Sequence, residues 1–160
     1  MAIAKTGIQA PDFTLPDMAG KPRPLRELSA QAPIVLAFFK ISCPVCQYTF
    51  PFLERLHKQL GGSSPRIFGI SQDARAKTGE FNRQFGVSFP VLLDSEDENY
   101  PVSNAYGITH VPSLFLIEPD GSIGLTSSGW VKSDIEEIAR RFGAAAPFQP
   151  GEKVETLRPG

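Results

Sequence analysis

Residues 34–50 read Ile34-Val35-Leu36-Ala37-Phe38-Phe39-Lys40-Ile41-Ser42-Cys43-Pro44-Val45-Cys46-Gln47-Tyr48-Thr49-Phe50, an apolar run leading into the chain's only two cysteines. Ile34 to Phe39 has no polar residue, the pattern of a strand covered on both faces, as in a parallel sheet. Beyond the cysteines the period changes. Phe50, Leu53, Leu56 and Leu60 recur at helical spacing, with Gly61-Gly62 as a stop. Pro51 lies inside that helix, where a kink is expected. Cys43 and Cys46 thus fall at a strand-to-helix junction, just past the C-terminal end of a central strand, and open α/β sheets carry their chemistry there.

The pattern continues on both sides. Asp12 to Leu15 reads as a short strand, followed by a turn at Pro16–Lys21. The Pro-rich piece Lys21–Pro24 leads into one helical turn at Leu25–Leu28. Arg66–Ser71 is a second strand and Thr78–Phe85 a helix, with Phe81 and Phe85 on one face and Gly86 closing it. Val91–Leu93 is a short strand. Pro101–Tyr106 is a short helix with Pro at its first position and Gly107 after it. Ser113–Ile117 is another buried strand, and Ile123–Ser128 pairs back on it through the Pro119–Ser122 turn. Ser133-Asp134-Ile135-Glu136 has the form of a capping box opening a helix that turns Ile135, Ile138, Ala139 and Phe142 inward. Strands alternate with helices and then give way to a hairpin and a last helix. The expected fold is α/β: a mixed sheet between helices, extended by an N-terminal β-hairpin. Residues 1–143 form one domain, and residues 144–160, crowded with Pro and Gly, form a tail expected to lie along the surface or to be loose.

Composition narrows the function. With 160 residues and 41% hydrophobic content, the chain can bury a core without staples. Its 16 basic and 17 acidic residues leave a net charge of −1, which gives no reason to expect nucleic acid or an anionic membrane as partner. No apolar run approaches the roughly 20 residues of a membrane span. Met1-Ala2-Ile3-Ala4-Lys5-Thr6-Gly7 lacks the apolar stretch of a signal peptide. With Met1 as the natural start, the expected compartment is the cytosol, where lasting structural disulfides are uncommon.

Three uses of the cysteine pair compete. A structural zinc site takes four ligands, and only His57 and His110 are on hand to join the two thiolates, at no regular spacing. A structural disulfide across so short a loop constrains the unfolded chain little. Redox exchange is favoured, because C-x-x-C at a strand-to-helix junction is the redox arrangement. Cys43 would stand at the helix N-cap, where unpaired N–H groups and the positive end of the helix dipole favour a thiolate. Pro44 suits the first helical position. Cys46 would follow at the third, buried one turn inward. An exposed, low-pKa first cysteine attacks a disulfide, and the second resolves the mixed disulfide. Lys40 either adds a push toward thiolate or is simply a solvated strand-end lysine.

The chain resembles the thioredoxin superfamily, and within it the redoxin and TlpA-like thiol–disulfide oxidoreductases, relatives of the AhpC/TSA peroxiredoxins. The matching pieces are APDFTLPDMAGKPRPLREL, IVLAFFKISCPVCQYTFPFLERL, FGVSFPVLLD and YGITHVPSLFLIEPDGSI, spread over about Ala10 to Phe142. The resemblance implies a thioredoxin-like fold, with Pro112 as a cis-proline against the cysteine pair and Val111 offering its backbone to the substrate chain. Gly129 falls where the family has a glycine beside the active-site groove. Trp130 next to it would then face substrate; read from composition alone it is equally a core or edge aromatic.

Some family features are missing. Ser42 stands where a tryptophan usually precedes the first cysteine. Ala37 and Thr49 stand where relatives carry a buried aspartate or a glutamate that takes the second cysteine's proton. His110, two residues before Pro112, could approach the site; His57 reads as solvated. The peroxidatic pattern P-x-x-x-[TS]-x-x-C does not fit either, since it finds Leu36 and Lys40 before Cys43, and Phe39 and Cys43 before Cys46. The expected activity is therefore thiol–disulfide exchange, in which Cys43 attacks, Cys46 resolves, and substrate docks along Val111, Pro112 and Trp130. The partners would be protein or small-molecule disulfides and an external thiol donor or acceptor. No metal or cofactor is implied. The alternatives are a thiol peroxidase and a non-catalytic interaction module.

Overall fold

The computed structural model describes residues 2–61 and 64–160. Five strands form the central sheet in the order β5-β4-β3-β6-β7: β3 (Ile34–Phe39), β4 (Ile67–Ser71), β5 (Val91–Leu93), β6 (Ser113–Ile117) and β7 (Ile123–Ser128). β3 runs parallel to β4 and β4 parallel to β5, whereas β6 is antiparallel to both β3 and β7. The sheet is mixed because the first connections cross over through helices while the last is a hairpin. A two-stranded ribbon, β1 (Thr14–Pro16) and β2 (Pro22–Pro24), precedes it and touches β5 through an Asp17–Leu92 bridge.

Every residue of β3 is buried, as its unbroken apolar run requires. Alternation divides its side chains. Val35, Ala37 and Phe39 pack with Phe50, Leu53 and Leu56 of α2 (Pro44–Gln59) and with Ile135 and Ile138 of α5 (Lys132–Arg141). Ile34, Leu36 and Phe38 face the other way, against Phe13, Leu25, Val102 and Tyr106 from the N-terminal segment, α1 (Leu25–Ser29), α4 (Pro101–Ala105) and the C-cap that follows α4. Burying side chains of this size contributes roughly 1.5–3 kcal/mol each. This two-sided burial fixes the C-terminal end of β3, and with it the start of α2.

Several elements differ from expectation. α3 (Arg75–Phe85) starts one turn early, because the Thr78 N–H already bonds Ala74 O at 2.9 Å. The expected capping box is not formed. α5 has Val131 at its N-cap without a side-chain cap, and its Lys132 N–H is taken by Thr156 O at 3.0 Å. Asp134 instead accepts from Ser127 Oγ at 2.6 Å. His57, read as solvated, is buried, because the segment after α3 closes over it: Phe89 meets its ring edge-on, and Ser88 N–H bonds Glu54 at 2.8 Å. Of the expected Gly61-Gly62 stop, Gly62 lies outside the described residues.

The tail lies along the surface and is anchored. Gln59 bonds the backbone of Ala145 in both directions, Arg55 pairs with Glu152 at 2.7 Å, and Phe148 packs on Phe52 and Trp130. Farther on, β9 (Leu157–Arg158) pairs antiparallel with β8 (Trp130–Val131). Among the described residues, no helix is long and apolar enough to cross a membrane.

Candidate active site

The turn after β3 delivers Cys43 to the N-cap of α2, with Pro44 as the first helical residue and Cys46 as the third. Cys43 has extended backbone (φ −84°, ψ 114°), which aims its sulfur back over the first turn. Cys43 Sγ accepts the Cys46 N–H at 3.1 Å and lies 3.3 Å from Val111 O, to which the protonated thiol donates. Cys43 is partly exposed and Cys46 is fully buried.

This geometry separates the two thiols. Cys43 is lowered to about 6, chiefly by the hydrogen bond from the Cys46 thiol, then by the backbone N–H groups of Cys46 and Val45, with a contribution from the Arg158 charge; partial burial opposes the shift. Cys46 moves the other way. Burial pushes its thiol far above the ordinary value, and the bond to Cys43 and the negative charges of Cys43 and Asp73 add to this. Lys40 is exposed; what it supplies is a backbone hydrogen bond to Cys46 that offsets part of the rise. One sulfur is a ready nucleophile, while the other keeps its proton.

The facing wall is the loop before β6. The Val111–Pro112 peptide is cis. Pro112 O accepts the Gly129 N–H at 2.8 Å, which joins this loop to the β7–β8 turn. Val111 stands beside Cys43 as expected. Trp130 does not face substrate: it is fully buried, T-shaped against Tyr48, and bonded through Nε1 to Glu155 O at 2.6 Å. β9 and Phe148 cover it, which sequence spacing did not reveal. His110 is exposed, and its Nδ1 pairs with Thr109 Oγ1 at 3.0 Å rather than with a cysteine.

Ala37 is buried, and the Thr49 hydroxyl donates to Val45 O at 2.7 Å, so neither supplies a proton acceptor to Cys46. A carboxylate that acts on Cys46 is Asp73, which went unnoticed in the sequence. It follows β4, the parallel neighbour of β3, and accepts the Ile41 N–H at 2.8 Å, holding the turn that carries Cys43. Gln47 grips the same turn from the other side, donating to Ile41 O at 2.9 Å. The signal was positional: a polar residue just past the C-terminal end of the adjacent strand. Among the described residues, no three His, Cys, Asp or Glu side chains converge so as to hold a metal ion.

A family model described as the AhpC/TSA family matches residues 6–125. The chain belongs to the AhpC/TSA family. Among curated members and relatives, it is 28% identical over 133 residues to the thiol-disulfide oxidoreductase ResA of Geobacillus thermodenitrificans, covering 82% of this chain and 74% of that protein. Against ResA of Bacillus subtilis the identity is 30% over 118 residues, covering 73% and 64% respectively. The thioredoxin domain of a thiol-disulfide oxidoreductase from Bacteroides vulgatus superposes with a TM-score of 0.75 at 21% identity, over 87% of this chain and 98% of that one. That likeness establishes the thioredoxin-like fold. For this AhpC/TSA family protein, the matched segment contains the cysteine pair and the Val111–Pro112 loop but stops short of the tail that covers Trp130.

Proposed function

We infer that the protein is a thiol–disulfide oxidoreductase. The observation that carries this reading is the asymmetry of the pair: Cys43, at about 6, is mostly thiolate at neutral pH, while Cys46, buried one turn away, stays protonated. In the first step the Cys43 thiolate attacks one sulfur of a disulfide, forming a mixed disulfide and releasing the other sulfur as a thiolate. In the second, Cys46 loses its proton and attacks Cys43 Sγ. This closes the Cys43–Cys46 disulfide and expels the second substrate sulfur. Two electrons have passed to the substrate, and an external dithiol restores the pair. In the opposite direction the same steps oxidise a substrate dithiol.

The relatives' names support disulfides as the substrate class. Val111, whose carbonyl adjoins Cys43, supports docking of the substrate backbone beside it. The test is reduction of insulin by dithiothreitol, with and without the protein. Acceleration by wild type, lost in Cys43→Ser, is the expected result. No acceleration, or equal acceleration by Cys43→Ser, refutes the reading, and rapid turnover of hydrogen peroxide without insulin reduction would favour a peroxidase.

A further inference from the structure

The space beside Cys43 is already occupied. An exchanging sulfur must come within about 2 Å of Cys43 Sγ to bond it, so the chain bearing that sulfur must lie against Val111, whose carbonyl is 3.3 Å from Cys43 Sγ. The tail runs through this place. A Cβ built on Gly160 would fall 2.4 Å from Val111 O and 3.4 Å from Gly129 Cα. A Cβ built on Gly129 would fall 2.6 Å from Arg158 O and 2.9 Å from Gly160 N. Gly129 also has φ +72°, a conformation that glycine adopts without steric cost. Positive φ and close approach together explain a glycine here: the tail's backbone lies directly on it.

Backbone pairing and side chains hold the tail in register. Trp130 pairs with Arg158 and Val131 with Leu157, while Thr156 O takes the Lys132 N–H. Glu155 accepts from Trp130 Nε1, and its own N–H bonds Tyr48 Oη at 3.1 Å. Arg158 lies over the Tyr48 ring at 5.0 Å and pairs with Glu155 at 3.1 Å. The end of the tail is held less firmly than its base. Its strand has two residues, Leu157 is 64% exposed, and the Arg158–Glu155 pair is a surface pair of small worth. The base is fixed by Phe148 and the Arg55–Glu152 pair.

We propose that residues 155–160 are a strap occupying the groove beside Cys43 that an extended polypeptide substrate needs, so that the strap selects between substrates by size. A small disulfide reaches Cys43 past the strap; a polypeptide must first lift residues 155–160 off Gly129 and Trp130. The proposal rests on the exchange reading above. As a tethered occupant the strap competes at an effective concentration in the millimolar range. If it leaves the groove open about a tenth of the time, it weakens productive polypeptide binding about tenfold.

The test compares kcat/KM for insulin with that for bis(2-hydroxyethyl) disulfide, in the full chain and in a variant lacking residues 155–160. Deletion is expected to raise the insulin-to-small-disulfide ratio about tenfold. A full chain that exchanges the small disulfide while the ratio stays unchanged on deletion overturns the strap alone. A full chain that exchanges neither overturns the exchange reading and the strap with it. A second measurement needs no deletion and decides if the shortened chain does not fold. In full-length Cys46→Ser, Cys43 is loaded either with a decapeptide, from its symmetric disulfide, or with mercaptoethanol, from bis(2-hydroxyethyl) disulfide; in each case the Cys43 thiolate attacks one sulfur of the reagent and expels the other half as a thiol. Emission of Trp130, the single tryptophan, should shift to the red with the peptide, as strand β9 lifts and water reaches the indole, and stay unchanged with mercaptoethanol. Unshifted emission with the peptide overturns the proposal.

Discussion

Replacing Cys46 by alanine tests the cause of Cys43 activation, because the Cys46 thiol hydrogen bond is the largest contribution holding Cys43 at about 6. A hydrogen bond to a charged acceptor contributes about 1.5–3 kcal/mol. Cys43 is partly exposed, so solvent screening reduces the effective value to about 1.4 kcal/mol, or roughly one pH unit. The midpoint should therefore move from about 6 to roughly 7, held there by the remaining backbone donors Cys46 N–H and Val45 N–H. The assay is the rate of Cys43 alkylation by iodoacetamide against pH. In wild type, Cys46 stays protonated and unreactive, so the profile reports Cys43 alone. At pH 6 the variant should react about fivefold more slowly, since its thiolate fraction falls from ~50% to ~10%. At pH 9 both are fully ionised and the difference should largely disappear. Folding is linked with a definite sign. The folded state lowers the Cys43 pKa, so the reduced protein's gain is fully present above the ordinary thiol value of 9.0 and is lost as pH falls through about 6. A wild-type midpoint near 8.5 would refute the activation of Cys43, and an unmoved midpoint in Cys46→Ala would refute the Cys46 thiol as its main cause.

Three other substitutions probe the frame and the turn. Gly69→Ala on β4 would put a methyl 3.1 Å from Val91 and 3.2 Å from Phe39, and should cost about 1–3 kcal/mol in urea unfolding through overpacking. Tyr106→Phe removes the buried hydroxyl that donates to Pro11 O at 2.8 Å, and should cost about 1 kcal/mol by the same assay, leaving insulin reduction unchanged. Asp73→Asn keeps an acceptor for the Ile41 N–H while removing a charge that opposes ionisation of Cys46; single-turnover decay of the mixed disulfide should quicken about two- to threefold.

The central sheet was legible because its signals are local. β3 and β6 have the bounds that their apolar runs gave, since a strand buried on both faces leaves little choice of register; the edge strands β5 and β7 also have the expected bounds, β7 because its hairpin turn sets them. The cysteine pair was equally readable: N-cap position, Pro44 and three-residue spacing are short-range features. What was lost depends on distant chain segments. Trp130 is buried by residues roughly 20 to 30 positions later, and His57 by a segment about 30 positions away. Ser133–Glu136 has the sequence of a capping box, yet no box forms, and the Thr156 carbonyl takes an N–H at the start of that helix. β9 has two residues, too few to produce a period.

The unequal cysteines also order the two steps. Before reaction, four influences keep Cys46 protonated: burial, its bond to Cys43, the Cys43 charge and the Asp73 charge. Attack by Cys43 converts its sulfur from a thiolate to a neutral disulfide sulfur, which abolishes the charge and weakens the bond together. Burial and Asp73 remain, so Cys46 becomes easier to ionise only once a substrate is covalently in place. No acid group at position 37 or 49 is then needed to time the reaction, because the first bond formed releases the constraint on the second sulfur. The same logic makes a premature Cys46 thiolate unfavourable and leaves Cys43 as the sulfur presented to a disulfide. The features that lower one thiol and raise the other are in part the same hydrogen bond, seen from its two ends.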